Sequence, residues 1–152
     1  SGSVMLEAEQ VALQSGIPAS VVRLTGIYGP GREWLLKQVR EGYRVASEPP
    51  LYANRLHAED CAGLLAHLLE ADRSGVALED CYLGVDNDPA ALHEVVGWLR
   101  EQLGVTQWSA EQTVRRAGSK RCSNARARAL GWEPRYPSFR EGYAAILAGK
   151  DA

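Results

Sequence analysis

Residues 19–25, Ala-Ser-Val-Val-Arg-Leu-Thr, make a near-continuous apolar run of strand length. A strand with one wet face alternates apolar and polar side chains. A run without that alternation suits a strand covered on both faces, as in parallel sheets. Such a strand needs helices on either side, and the surrounding sequence supplies them. Residues 3–15 read as a helix with Met5, Ala8, Val11 and Ala12 on one face, ended by Ser-Gly-Ile-Pro. A helix is expected over 33–41, a short strand near Tyr-Arg-Val-Ala-Ser at 43–47, and another at Asn-Arg-Leu-His, 54–57. The next helix, over 58–71, carries a stripe of Cys61, Leu64, Leu65, Leu68 and Leu69. Glu59 and Asp60 stand in its first turn, where negative charge complements the macrodipole.

Cys-Tyr-Leu-Gly-Val, 81–85, is the following strand. Pro89 precedes a helix whose apolar face is Leu92, Val95, Val96 and Leu99, and Gly104 closes it. Two shorter helices are expected over 123–130 and 138–148. Strands alternating with helices indicate an α/β fold with a parallel sheet. Two or three strands, however, give such a sheet few lateral neighbours. The pattern reads as part of a fold.

The totals narrow the function classes. At 152 residues and 45% hydrophobic content the chain is about one domain with a real core. No apolar run approaches the roughly 20 residues that span a bilayer, and the N-terminus lacks the charged-then-apolar pattern of a signal peptide. A net charge of −2 argues against a globally basic, nucleic-acid-coating protein. Three cysteines, Cys61, Cys81 and Cys122, lack CxxC spacing and suggest reduced, buried thiols in a cytoplasmic protein.

The stretch after the first strand, Gly26-Ile-Tyr-Gly-Pro-Gly-Arg-Glu-Trp34, poses a choice. A dinucleotide fingerprint is G-x-G-x-x-G directly after the strand, its third glycine permitting close helix–strand packing. Gly29 and Gly31 have the spacing, but Trp34 holds the third position and Pro30 removes a backbone donor. A turn by which the chain leaves a sheet fits these residues better.

Taken with its continuation, Val-Val-Arg-Leu-Thr-Gly-Ile-Tyr-Gly-Pro-Gly-Arg resembles the segment after the sixth strand of extended short-chain dehydrogenases/reductases, the NAD-dependent epimerase/dehydratase family. Asn-Arg-Leu-His-Ala-Glu-Asp-Cys-Ala is similar to that family's helix start, matched at Leu56, His57, Glu59, Asp60 and Ala62. Cys81–Glu101 resembles its Tyr-Asn-x-Gly strand, turn and helix. Cys122–Tyr143 resembles its Ser-Lys-Ala-x-x-x-Leu-Gly-Trp-x-Pro element and final helix. These ordered matches cover nearly the whole chain and lie nearest a bacterial, catalytically divergent branch.

The resemblance implies the C-terminal part of a Rossmann-type fold, a doubly wound parallel sheet, joined to a small mixed α/β substrate-binding domain. Residues 1–48 would be a remnant of the Rossmann domain, comprising a helix, strand, loop and following helix. Residues 49–152 would be mainly the substrate-binding subdomain, with a return strand and helix around 52–72. NAD or NADP would be bound mainly by an N-terminal half that this sequence does not contain. The implied parent activity is hydride transfer at a sugar or other carbonyl carbon. The alternative is a catalytically inert ligand-sensing or protein-interaction module. The family's catalytic Tyr-x-x-x-Lys aligns with Ser1 and Met5, so either the pair is lost or it lies one turn upstream.

Other positions transfer from the same resemblance. Leu24 and Thr25 match residues whose backbone flanks the nicotinamide. Gly26 matches a substrate-contacting Asn and lacks its side chain, while Tyr28 and Trp34 stand on the loop beside the implied cleft. The family's nucleotide-binding Arg falls at Ala53; Arg55, two residues on and on the same strand face, is a candidate substrate contact. Arg23 suits pairing with a buried carboxylate.

The stretch 115–128 holds six basic residues and no acid: Arg115, Arg116, Lys120, Arg121, Arg126 and Arg128. It is either a solvated face or, through Lys120 and Arg121, a contact for a substrate anion. Nucleic acid is disfavoured because no aromatic platform interleaves the charges. His57, His67 and His93 lack partners at metal-ligand spacing. His57 reads as a hydrogen-bonded residue at a helix start, and His67 and His93 as partly exposed. The strand at 19–25, short of a neighbour, should leave an edge open to self-association or to a retained N-terminal fragment. A small-molecule substrate and no membrane partner complete the expectation.

Overall fold

The computed structural model describes residues 2–110 and 118–149. Helix α1 (Gly2–Leu13) leads to β1 (Val21–Leu24), and β2 (Ile27–Tyr28) follows after a two-residue break. Helix α2 (Trp34–Arg40), β3 (Leu56–His57), α3 (Ala58–Arg73), β4 (Cys81–Gly84) and α4 (Leu92–Leu103) come next. The chain ends in α5 (Ala125–Ala129) and α6 (Phe139–Leu147).

The strands form two parallel pairs. β1 lies beside β4, with Val21 opposite Cys81 and Leu24 opposite Gly84. β2 lies beside β3, with Ile27 opposite Leu56 and Tyr28 opposite His57. The fold is therefore α/β with parallel strands, and β1 has one strand neighbour among the described residues. No described strand pairs with its other edge. Of the segment 54–57 only Leu56 and His57 are strand, paired with β2, and the strand returning to β1 is 81–84.

Two apolar clusters hold these pieces together. In one, α2, α4 and α6 meet through Leu36, Val39, Val95, Val96, Leu99, Phe139 and Tyr143. The expected face of α4, Leu92, Val95, Val96 and Leu99, is buried as a unit, and Gly104 ends the helix at φ 63. In the other, α3 and α5 cover β4 through Cys61, Leu64, Leu68, Tyr82, Ala127 and Trp132, with Val22 and Leu24 packed against them. The α3 stripe is narrower than its sequence suggests, for Leu65 and Leu69 face solvent.

Helix α1 has no buried residue. Its apolar Val4, Met5, Leu6 and Val11 are all exposed, and it is tied down by Glu9, whose carboxylate receives two hydrogen bonds from Arg23 at 2.9 and 2.6 Å. Arg23 thus has a carboxylate partner, though a half-buried rather than a buried one. Residues 43–47 form no strand. Tyr43 and Val45 pack into the α2–α4–α6 cluster instead. No described helix is long and apolar enough to cross a membrane.

Candidate functional site

The end of β1 and the turn into β2 organise the candidate site. Leu24 lies over Gly84, where a Cβ would overlap its side chain. Thr25 follows, with its hydroxyl oxygen buried and without a partner. Gly26 then adopts φ +54, and a Cβ there would overlap the Asn54 carbonyl oxygen. The Leu56 N–H donates to the Gly26 carbonyl at 3.4 Å. The chain passes from one strand pair to the other through a left-handed, backbone-to-backbone contact that only glycine accommodates. The missing side chain at position 26 therefore has a steric reason.

Asn54 links this turn to the basic segment. Its side-chain amide donates to the Lys120 carbonyl at 2.9 Å, and its side-chain oxygen accepts from the Cys122 N–H at 2.8 Å. Ser119 Oγ accepts from the Tyr52 N–H at 2.9 Å and donates to the Pro50 carbonyl at 3.2 Å. Residues 119–122 are thus laid as a strap along 50–54. The Arg121 guanidinium sits 4.6 Å from the Tyr52 ring centroid, and both Lys120 and Arg121 are exposed. Gly26, Asn54 and Lys120 are brought together; Arg115 and Arg116 lie outside the described residues.

A buried polar layer also involves Arg55. Its guanidinium donates to the Ala90 carbonyl at 3.2 Å and the Asp88 carbonyl at 3.4 Å, and lies 5.7 Å from the Phe139 ring. Burial lowers its pKa, an effect partly offset by the nearby Asp86 charge. Tyr28 is a core residue, stacked on Tyr143 at 4.5 Å and edge-on to His57 at 5.3 Å. Its hydroxyl is buried without a partner, and burial, with the Asp86 charge adding, holds its pKa well above the ordinary tyrosine value. Trp34 is 62% exposed and packs edge-on to Tyr43.

Two buried carboxylates join this picture, neither apparent from sequence as a buried group. Asp86, 3% exposed, accepts the Asp88 N–H at 2.9 Å through Oδ1, while Oδ2 has no partner. Desolvation pushes its pKa up to about 7. Asp60 accepts the N–H groups of Arg135 at 2.6 Å and Tyr136 at 3.0 Å, pinning the loop before α6 to the start of α3. His57 caps α3 by accepting the Glu59 N–H at 3.1 Å, which matches its expected place at a helix start. His67 and His93 are partly exposed. No group of three or more metal-ligating side chains occurs among the described residues.

The loop Gly29-Pro30-Gly31 closes on itself, the Arg32 N–H donating to the Gly29 carbonyl at 2.9 Å. Gly29 packs against α3, where a Cβ would come within 3.1 Å of the Ala58 methyl. This is helix packing rather than a phosphate cradle. The unpartnered Thr25 hydroxyl fits a polar group of a nicotinamide placed beside β1, whereas this loop does not fit the cofactor's phosphates. Met5 is exposed on α1; Ser1 lies outside the described residues. Two open grooves, of about 370 Å³ along Gly97–Trp108 and about 610 Å³ between α3 and Gly131–Arg135, lie elsewhere.

No protein-family model and no curated protein sequence matches the chain. Solved structures do. A Methylobacillus flagellatus structure assigned to the NAD-dependent epimerase/dehydratases is 34% identical, with a TM-score of 0.80 over 99% of this chain and 54% of its own. A conserved Silicibacter pomeroyi protein of unknown function is 28% identical, with a TM-score of 0.75 over 98% of this chain and 55% of its own. RMD from Pseudomonas aeruginosa, solved with NADPH, shares the fold at 18% identity, with a TM-score of 0.67 over 92% of this chain and 50% of its own. The chain thus spans about half the length of these structures. With its parallel strand pairs and its ordered motifs, it belongs to the NAD-dependent epimerase/dehydratase family, as a C-terminal portion of that Rossmann-type fold.

Proposed function

We propose that the chain is the substrate-side portion of an NAD(P)-dependent epimerase/dehydratase-like oxidoreductase acting on a sugar or other carbonyl substrate. The carrying observation is the match over 99% of this chain to about half of a relative 34% identical. On this reading residues 1–48 belong with the Rossmann sheet and 49–152 mainly with the substrate subdomain. The bound NAD or NADP supplies or accepts the hydride. Leu24 and Thr25 flank the nicotinamide, and the Thr25 hydroxyl gains the partner it lacks. Gly26, Lys120 and Arg121 face the substrate at the surface, while Tyr28 and Arg55 back them from within. The cofactor's phosphates need a glycine-rich loop that this sequence does not supply, so a Rossmann half must dock against β1 and α1. All three cysteines are free, Cys61 buried as expected but Cys81 and Cys122 only half-buried; free thiols fit a cytoplasmic setting.

A second reading is a catalytically inert module, sensing a ligand or a protein through the same fold. Met5 motivates it. A tyrosine acting as proton donor or acceptor near neutrality must have its ordinary pKa of about 10 lowered by a neighbouring cation, and a thioether supplies none. The test is a chimera joining the N-terminal half of the Methylobacillus flagellatus relative to this chain. NAD(P)H binding with carbonyl-dependent hydride turnover supports the first reading. Cofactor binding without turnover by any carbonyl substrate, with turnover restored by Ser1→Tyr/Met5→Lys, supports the second.

A further inference from the structure

We propose that Arg55 is a latch with two positions: it holds the carbonyls of the 88–90 turn while Asp86 is protonated, and swings to the Asp86 carboxylate when Asp86 ionises. The inference is independent of either functional reading, since every group in it belongs to this chain.

Two buried groups of opposite charge lie side by side without pairing. The Asp86 N–H donates to the Arg55 carbonyl at 2.9 Å, so the two backbones are in direct contact, and both residues are almost wholly buried. Yet among the described residues Arg55 and Asp86 form no ion pair. The guanidinium is engaged instead with the Asp88 and Ala90 carbonyls, through long bonds of 3.4 and 3.2 Å. Asp86 Oδ2 has no partner. A buried carboxyl in that state favours its neutral form. Once ionised it becomes the strongest acceptor in the layer, and an arginine fork is the donor that suits it best.

The guanidinium can leave the turn at little cost. The Ala90 carbonyl also accepts the Ala53 N–H at 3.3 Å, and the Asp88 carbonyl the Ala90 N–H at 2.8 Å. Neither acceptor is orphaned by its departure. Tyr28 cannot take its place. Its hydroxyl also lacks a partner, but the ring is held between Tyr143 and Gly142, where a Cβ would overlap that hydroxyl.

The remaining groups around the pair set the direction of the switch. Asp60 from α3 and Asp88 from the turn resist ionisation of Asp86, and Arg55 favours it. Burial keeps the phenols of Tyr28 from β2 and Tyr143 from α6 protonated. Arg140 of α6 engages Asp88 at 3.4 Å, Glu94 of α4 accepts the Ala91 N–H at 3.3 Å, and His57 stands edge-on to Tyr28. The turn that Arg55 releases belongs to a seam, in which the Leu92 N–H donates to the Leu51 carbonyl at 2.8 Å. Tyr52 and Asn54, on the same side of that seam, hold residues 119–122. Throwing the latch therefore loosens the edge of the segment that carries them.

The test follows three resonances of the chain from about pH 5 to 9: the Asp86 carboxyl carbon, the Arg55 Nε–Hε group and the Ala53 amide, its exchange corrected for the intrinsic effect of pH. All three should change together with one midpoint, and the Ala53 amide should exchange roughly tenfold faster at the alkaline end. In Asp86→Asn the Arg55 and Ala53 changes should vanish, while Val96 in the α4 core stays indifferent to pH in both proteins. Asp86 titrating with Arg55 unchanged would refute the latch, and so would an Asp86 carboxyl that holds one state over the whole range. An Arg55 transition that survives in Asp86→Asn would overturn it too, assigning the proton to His57 or another group. The wild-type titration decides by itself if the variant does not fold.

Discussion

Replacing Asp86 by Asn should stabilise the chain at neutral and alkaline pH while leaving it unchanged in acid. The Asp86 carboxyl is almost wholly buried, with one oxygen held by the Asp88 N–H and the other without a partner. Desolvation favours its neutral form and outweighs the opposing pull of the Asp88 N–H and the Arg55 charge, so its pKa rises from 3.8 to about 7. Below about pH 4 both folded and unfolded chains hold the proton. Between about 4 and 7 the unfolded chain has released it and the folded chain has not, so stability falls as pH rises. Above about 7 both are ionised and the whole cost is present. At about 1.4 kcal/mol per tenfold change, this amounts to roughly 4 kcal/mol lost from this group between pH 4 and 8. Asn keeps the acceptor for the Asp88 N–H and never ionises. Urea unfolding followed by tryptophan fluorescence from pH 4 to 8 should give superimposable curves in acid. At pH 8 the variant should be more stable by about 3–4 kcal/mol. A stability difference that does not change with pH, or one that favours the wild type as pH rises, would refute the reasoning.

Three further outcomes are expected. Asp60→Asn turns one of two accepted N–H bonds, from Arg135 and Tyr136, into a donor facing a donor, and should cost about 2–3 kcal/mol in urea midpoint measurements. Gly26→Ala forces a side chain into a left-handed φ against the Asn54 carbonyl; a loss of about 2–3 kcal/mol is expected, with faster amide exchange at Cys122. The β1 edge that no described strand covers and the exposed Val4, Met5, Leu6 and Val11 of α1 should produce concentration-dependent self-association by size-exclusion with light scattering. Val4→Glu/Val11→Lys should reduce it.

Much of the architecture is legible in local pattern. Helix α4 carries a 3.6-residue apolar period and a closing glycine, and both are realised in the structure. The run at 19–25 announces a parallel strand because it lacks alternation, and β1 is one. The segment 43–47 misleads for a physical reason: alternating side chains report burial, and here Tyr43 and Val45 reach the core with no strand alongside to complete a ladder. The α3 stripe overstates burial because β4 and α5 cover only part of its face.

The site was less legible because its residues act through distant partners. Asp60 looks like a first-turn acid in the sequence, yet it holds amides 75 and 76 positions away. Asn54 carries no motif of its own, and its role emerges only when 118–124 lies beside it. Asp86 had one local signal, the Asp-Asn-Asp turn after β4, but nothing in that triplet says which carboxylate is buried. The glycine loop was readable by elimination, since Trp34 and Pro30 both oppose a phosphate cradle.

The most direct measurement is a calorimetric titration of NADPH and NADH into the purified chain, alone and then with the separately prepared N-terminal half of the Methylobacillus flagellatus relative. If this chain is the substrate-side portion of a Rossmann enzyme, neither nucleotide binds it alone, and the mixture takes up one equivalent with affinity above that of the added half. One-to-one binding by the chain alone would contradict that placement and make Gly29-Pro30-Gly31 a phosphate loop after all.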